Sequence, residues 1–160
     1  MEGIKMDNNE NAQKMELSQF IVVKLGVEQY GINIQYVQNI VRMINITRVP
    51  KAPYYIKGVV NLRGDIIPVM SIRLKFDMEE DVLSDSTRII FVKLEGNEIG
   101  LIVDEVKEVI QLSDADIDNI SRESHEEKDA YVFGVGKIGQ SLVTLLNIDE
   151  LIKVNDPLKA

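Results

Sequence analysis

The chain has no cysteine and no tryptophan, and its one histidine is His125. Without thiols there is no disulfide, no thiolate zinc or iron–sulfur site and no cysteine nucleophile. His125 stands beside Glu126 and Glu127 with no second histidine and no serine motif near it, so it supplies neither a metal set nor a catalytic relay. No apolar run approaches the roughly 18 residues that a membrane helix needs, and residues 1–16 are polar and rich in asparagine, unlike a leader. Cationic excess is missing too: 18 Lys and Arg stand against 26 Asp and Glu, a formal net charge of −8. Such a chain gains nothing from counterion release on a polyanion, which argues against nucleic acid. The GVGK stretch at 134–137 lacks the spacing and the Ser or Thr of a phosphate loop. These absences predict a soluble, cytoplasmic protein with no catalytic residue, no metal, no cofactor, no nucleic-acid partner and no insertion into a membrane.

What is present suits a globular binding protein. The hydrophobic fraction is 45% and the charged fraction 28%, ordinary values for a soluble domain. A chain of this length buries roughly 70% of its unfolded surface. Residues 1–16 and 156–160 read as tails around a single domain at 17–155. Residues 19–25 and 30–34 form one Val/Ile hairpin around a turn at 26–29, and residues 56–69 form a second. Asn33 is placed to cap a helix running to Arg42, because Ile34, Val37, Ile40 and Val41 recur at helical spacing. Residues 77–87 are acidic and read as a linker.

After that linker the pattern begins again. With residue 20 laid on residue 89, Ile21 falls on Ile90, Leu25 on Leu94, Gly31 on Gly100 and Val37 on Val106. Further along, Gly58 falls on Gly134 and Ile72 on Ile148. Two such copies, each of about four to five short strands, predict two small antiparallel barrels, at about 17–82 and 83–155, with strand exchange between them allowed. A polar loop covers 113–129. A short helix at 147–154 closes the pattern, with Asn147 as its cap and Asp149 and Glu150 in its first turn.

Two acidic groupings carry no chemistry. The run DADIDN at 114–119 begins like a calcium loop, but the required glycine and glutamate positions hold Asn119 and His125, so it reads as a solvated loop. Asp104 and Glu105 are neighbours on a strand, point to opposite faces and cannot flank one substrate. The turn in NLRGD at 61–65 is different. Gly64 takes positive φ at no steric cost, and Arg63 is presented, always charged, on a stiff support suited to binding. The matching turn of the second copy is Ile138, Gly139 and Gln140, so only the first copy keeps the arginine.

Four strings, YGINIQYVQ at 30–38, ITRVP at 46–50, YIKGVVNLRGDIIPV at 55–69 and GLIVDEV at 100–106, resemble the CheW family of bacterial chemotaxis coupling proteins. The resemblance covers about 17–154, and the NLRG block followed by a Pro-Val strand is its specific part. It implies an all-β fold with short helices: two five-stranded SH3-like β-barrel subdomains packed around a shared core. It also implies a non-catalytic adaptor. Such a protein couples the cytoplasmic tips of methyl-accepting chemoreceptors to the regulatory domain of the histidine kinase CheA, and is recruited to membrane-associated receptor arrays through those partners. Carried over residue by residue, a receptor-facing groove between the barrels involves Val37, Asn39, Gly58, Arg63, Gly64, Val106 and Val109. Many relatives carry Glu where this chain has Asn39, which turns a carboxylate contact into a neutral hydrogen bond. The valines serve groove or core, and the sequence does not divide them. The kinase-facing surface is expected on barrel-end loops, with no residue marked. Within the same fold, the alternative is an adaptor of a different chemosensory system.

Overall fold

Alternating apolar residues make this chain's strands, and many strands are buried on both faces. The computed structural model describes residues 17–119 and 130–154, so the tails and His125 lie outside the described residues. Eleven strands occur among the described residues: β1 (Leu17–Leu25), β2 (Glu28–Asn33), β3 (Val37–Arg42), β4 (Ile56–Leu62), β5 (Asp65–Ser71), β6 (Arg88–Leu94), β7 (Asn97–Val103), β8 (Glu105–Ser113), β9 (Ile117–Asn119), β10 (Val132–Ile138) and β11 (Ser141–Leu146). Two short helices follow equivalent strands, α1 (Ile72–Lys75) after β5 and α2 (Ile148–Leu151) after β11. The all-β expectation holds.

The strands form two sheets. The first has the order β8-β1-β2-β11-β10-β9, the second β3-β6-β7-β5-β4. Under the sequence repeat, β3 corresponds to β8, β6 to β1, β7 to β2, β5 to β11 and β4 to β10. The two orders are then the same, with β9 added to the first sheet. Each sheet therefore holds strands from both halves of the chain, because the hairpins β1–β2 and β6–β7 cross over. Even the register repeats. Gly31 lies opposite Leu145 in a parallel pair, and Gly100 opposite Val69 in its counterpart. Val37 faces Val92 as Val106 faces Val23.

Because side chains alternate, each inner strand serves two cores. Phe20 and Val22 of β1 join Ile110, Leu112, Val143 and Leu145 inside the first sheet. Ile89 and Phe91 of β6 join Val60, Ile67, Val69 and Ile102 inside the second. The intervening residues, Ile21, Val23 and Leu25 from β1 and Ile90 and Val92 from β6, meet in a third cluster shared by the two sheets. A fully buried residue of this kind contributes about 1.5–3 kcal/mol, so the shared cluster holds the sheets together without disulfides.

The structure corrects several local expectations. Asn33 does accept from the Gln35 amide at 3.0 Å, but it caps only a 3-10 turn over Ile34–Tyr36. The predicted helix to Arg42 is strand β3, whose burial alternates residue by residue. Val37, Ile40 and Val41 are β-branched, and pairing with β6 settles what a short apolar run leaves ambiguous. Asn147 caps α2 as expected, accepting from the Glu150 amide at 3.3 Å, but the helix ends at Leu151. Its repeat mate α1, which the sequence reading does not assign, is capped in the same way by Ser71. Strand β9 lies within the expected polar loop and pairs with β10. The expected linker at 77–87 is tied down along its length, by the Tyr54 hydroxyl to Asp77, Arg73 to the Glu79 carbonyl, Lys57 to Glu80 and the Ser71 hydroxyl to Asp81.

One buried cation sits where the copies meet. Lys75 is 7% exposed. Its Nζ lies 4.0 Å from the Tyr55 ring centroid and 5.3 Å from that of Tyr131, the repeat mate of Tyr55, and donates to the Lys153 carbonyl at 2.8 Å. Burial lowers the Lys75 pKa from 10.5. Between the lowered folded value and 10.5 the unfolded chain holds this proton more firmly than the folded one, so the group makes stability rise with pH across that window. Lys75→Met keeps the apolar stem and removes the charge. It is expected to flatten the rise in urea midpoint with pH below 10.5; a slope equal to the parent's would rule Lys75 out as its source.

Candidate functional site

The sequence-predicted residues fall on two parts of the molecule. Val37 opens β3 and Val106 lies near the start of β8, at equivalent positions of the repeat. Both are half-buried and pack against the shared cluster, so each divides its surface between core and exterior. A bulge follows each of them. Val37 faces Val92 and Asn39 faces Phe91, leaving Gln38 extra; Val106 faces Val23 and Glu108 faces Val22, leaving Lys107 extra. Such bulges bend and twist an edge strand. Further along β8, Val109 is 51% exposed and available for contact. Asn39 is half-buried, and its Oδ1 accepts from the Ile40 amide at 3.1 Å.

Gly58, Arg63 and Gly64 belong to the β4–β5 hairpin. Leu62 pairs with Asp65, leaving a two-residue turn. Arg63 has φ 54° and Gly64 φ 86°, the φ signature of a type I′ turn, which matches the twist of the flanking strands. Glycine and asparagine suit the first of these positions; arginine is unusual there. Asn61 braces the turn, its Oδ1 accepting from the Gly64 amide at 3.1 Å. The Arg63 side chain is exposed and makes no hydrogen bond or ion pair among the described residues. Gly58, by contrast, is buried inside the hairpin's base, against the backbone of Thr47.

Charge patterning along the sequence marks further candidates. From Gln29 to Gly64 there is no carboxylate side chain, yet Arg42, Arg48, Lys51, Lys57 and Arg63 all occur there, in a chain of net charge −8. Lys57 pairs with Glu80. Arg42, Arg48 and Lys51 are exposed and have no ion-pair partner among the described residues. Net charge alone conceals this stretch, whereas counting charge along the chain reveals it.

Several acidic groups have structural work. Asp116 accepts from the Ser113 amide at 3.0 Å and hydroxyl at 3.1 Å, and Asp118 pairs with Lys137 at 2.8 Å. Asp104 takes a bidentate contact from Arg73, at 2.6 and 3.0 Å. Arg73 and the Gly26 amide hold its carboxyl below the usual range, while burial pushes Asp81 upward. A depressed carboxyl contributes stability above its unfolded value, near 3.8, and loses it as pH falls through the lower folded value. Asp104→Asn is therefore expected to cost about 1.5 kcal/mol at pH 7, with the gap to the parent closing at a pH below 3.8. Urea unfolding at both pH values checks this, and a gap independent of pH would count against it.

Comparison with known proteins adds to this geometry. The family model described as CheW-like domain matches residues 19–156. The protein named Chemotaxis protein CheW from Helicobacter pylori is 36% identical over 151 residues, spanning 94% of this chain and 88% of its own length. Its namesake from Klebsiella aerogenes is 32% identical over 134 residues, spanning 84% and 81%. Among solved structures, the crystal structure of scaffolding protein TtCheW from Thermoanaerobacter tengcongensis superposes with a TM-score of 0.79 at 33% identity, covering 87% of this chain and 94% of that one.

Proposed function

Because this chain belongs to the CheW-like family, we propose that its role as a chemotaxis scaffold consists in coupling two partners, the cytoplasmic tip of a methyl-accepting chemoreceptor and the regulatory domain of the histidine kinase CheA. The single observation that carries the receptor half is Arg63. It is a permanent cation on a rigid turn, exposed and without a partner among the described residues. A guanidinium so placed forks onto a carboxylate or onto backbone carbonyls. Val37, Val106 and Val109 supply apolar surface for the receptor's helical hairpin, as grooves accept amphipathic helices. Asn39 contributes a neutral hydrogen-bonding edge. Gly58 and Gly64 act through the backbone, by letting the hairpin form. Barrel-end loops are left for the kinase domain. The scaffold works in the cytoplasm and reaches the membrane-associated array through its partners. It catalyses nothing: it raises the local concentration of one partner near the other.

The test is direct. The purified chain is mixed with a receptor-tip fragment and the kinase regulatory domain, and complexes are resolved by size-exclusion chromatography and calorimetry. A ternary complex is expected, and binding to neither partner would overturn the reading.

A further inference from the structure

The chain crosses between the sheets at two equivalent points, and only one is locked. Between β7 and β8 it passes from the second sheet to the first through a single residue, Asp104. Between β2 and β3 it passes the other way through the turn Ile34–Tyr36, where Gln35 takes the place of Asp104 in the repeat. Gln35 has a local contact, its amide bonded to Asn33 at 3.0 Å, and its side chain makes no hydrogen bond among the described residues.

Asp104 is bound from both sides. Its amide donates to the Lys24 carbonyl of β1 at 3.0 Å. Its Oδ2 accepts from the Gly26 amide, in the β1–β2 turn of the first sheet, at 2.8 Å. The same oxygen accepts Nη2 of Arg73 at 2.6 Å, and Oδ1 accepts Nε at 3.0 Å. Arg73 belongs to α1, which continues β5 of the second sheet. Its Nη1 is anchored in turn to the Glu79 carbonyl at 3.2 Å. The two side chains are 15% and 27% exposed, and a partly buried, two-pronged pair is more directional than a surface ion pair. One carboxylate thus joins the first sheet's turn to the second sheet's helix where the chain changes sheets. Val106 lies two residues beyond it, its repeat mate Val37 lies two residues beyond Gln35 at the other crossing, and both pack against the cluster that the two sheets share.

We propose that Arg73, Asp104 and the Gly26 amide form a positioning latch that fixes the orientation of the two sheets, and with it the spacing of Val37 and Val106. The link to the groove rests on the receptor reading above; the latch itself rests on the hydrogen bonds alone. Asp81 supplies a graded test. Its Oδ1 is buried without a hydrogen-bond partner among the described residues, and it lies within the field of the same guanidinium. Asp104→Asn leaves Arg73 a second carboxylate, whereas Arg73→Met leaves no guanidinium at all.

The absence of cysteine makes the measurement clean. Asn97→Cys and Ser141→Cys, at exposed positions on the second and first sheets, carry spin labels, and pulsed electron resonance reads the distance distribution between the sheets. The parent is expected to give one narrow distribution. Arg73→Met broadens or shifts it, Asp104→Asn does so less, and Arg73→Lys, which retains the charge, recovers part of the parent's width. Circular dichroism establishes that each variant is folded. Receptor-tip affinity of Arg73→Met falls about tenfold, within the range for coupling through a packed network. A folded Arg73→Met with the parent's distribution would overturn the latch. Arg63→Glu serves as the contrast, losing tip binding with the distribution unchanged. If the parent binds no tip, the receptor reading fails, while the distance measurement still decides the latch.

Discussion

Gly58→Ala is expected to destabilise the protein by about 4 kcal/mol, a large share of the 5–15 kcal/mol that holds a typical domain folded. Two features combine. Gly58 has φ 147°, a backbone region that side chains rarely adopt. A Cβ there would lie 2.2 Å from the Thr47 carbonyl oxygen and 2.7 Å from its carbon. Backbone cannot step aside as a flexible side chain can, and here it is held by two hydrogen bonds, Thr47 amide to Val59 carbonyl and Val59 amide to Thr47 carbonyl, both 2.8 Å. The substitution must therefore break the bridge that returns the chain after β3 onto β4. The repeat provides a control. At Gly134 the same Cβ would meet the Asp118 carbonyl at 2.9 Å, at a φ outside the left-handed region. Gly134→Ala is expected to cost about 1–2 kcal/mol. Urea unfolding of both variants decides the matter: equal losses, or a loss under about 1 kcal/mol at Gly58, would show that the close approach to Thr47 relaxes. Weaker partner binding by a Gly58 variant would then report on the fold rather than on a lost contact.

Arg63→Glu is expected to weaken binding of a receptor tip by about 2 kcal/mol or more, roughly 30-fold, the scale of an interface hot spot. Folding should hardly change, because the side chain is exposed and makes no internal hydrogen bond or ion pair among the described residues. Affinity for the kinase domain should also be unchanged. Arg63→Asn sharpens the point. Asparagine is at ease where φ is positive, so this variant is expected to be more stable than the parent by about 0.5 kcal/mol while losing most of the tip affinity. Opposite signs for stability and binding at one residue are what a position kept for a partner produces. Calorimetric titration with the tip fragment, alongside urea midpoints, measures both. Normal tip binding by Arg63→Glu would remove Arg63 from the interface.

How much of this could be read in advance varies from residue to residue. The hairpins were legible because Val/Ile runs flanked by Gly and Asn leave few alternatives, and the turn around Arg63 and Gly64 forms between Leu62 and Asp65 as its composition implies. The segment from Val37 to Arg42 was not legible. Its apolar residues fit a helical spacing as well as a strand, and only the β6 partner settles the question. Strand β9 is three residues long and exists because β10 lies beside it; nothing local announces it. Asp104 looked like half of an unusable acidic pair. Its partner Arg73 is distant in sequence and comes from a helix that the repeat alone could have suggested, through Ile72 and Ile148.

The sequence by itself determined the β class, the duplication, the absence of thiol chemistry and the exceptional arginine of the first copy. These follow from residue type and local order, which act over a few positions. The tertiary structure alone decided which hairpin joins which sheet, which valines divide themselves between core and surface, why Gly58 admits no side chain, and that a single carboxylate spans the junction between the sheets. Those outcomes depend on contacts between residues far apart in the chain, where packing and hydrogen-bond geometry choose among arrangements that local preference leaves equal.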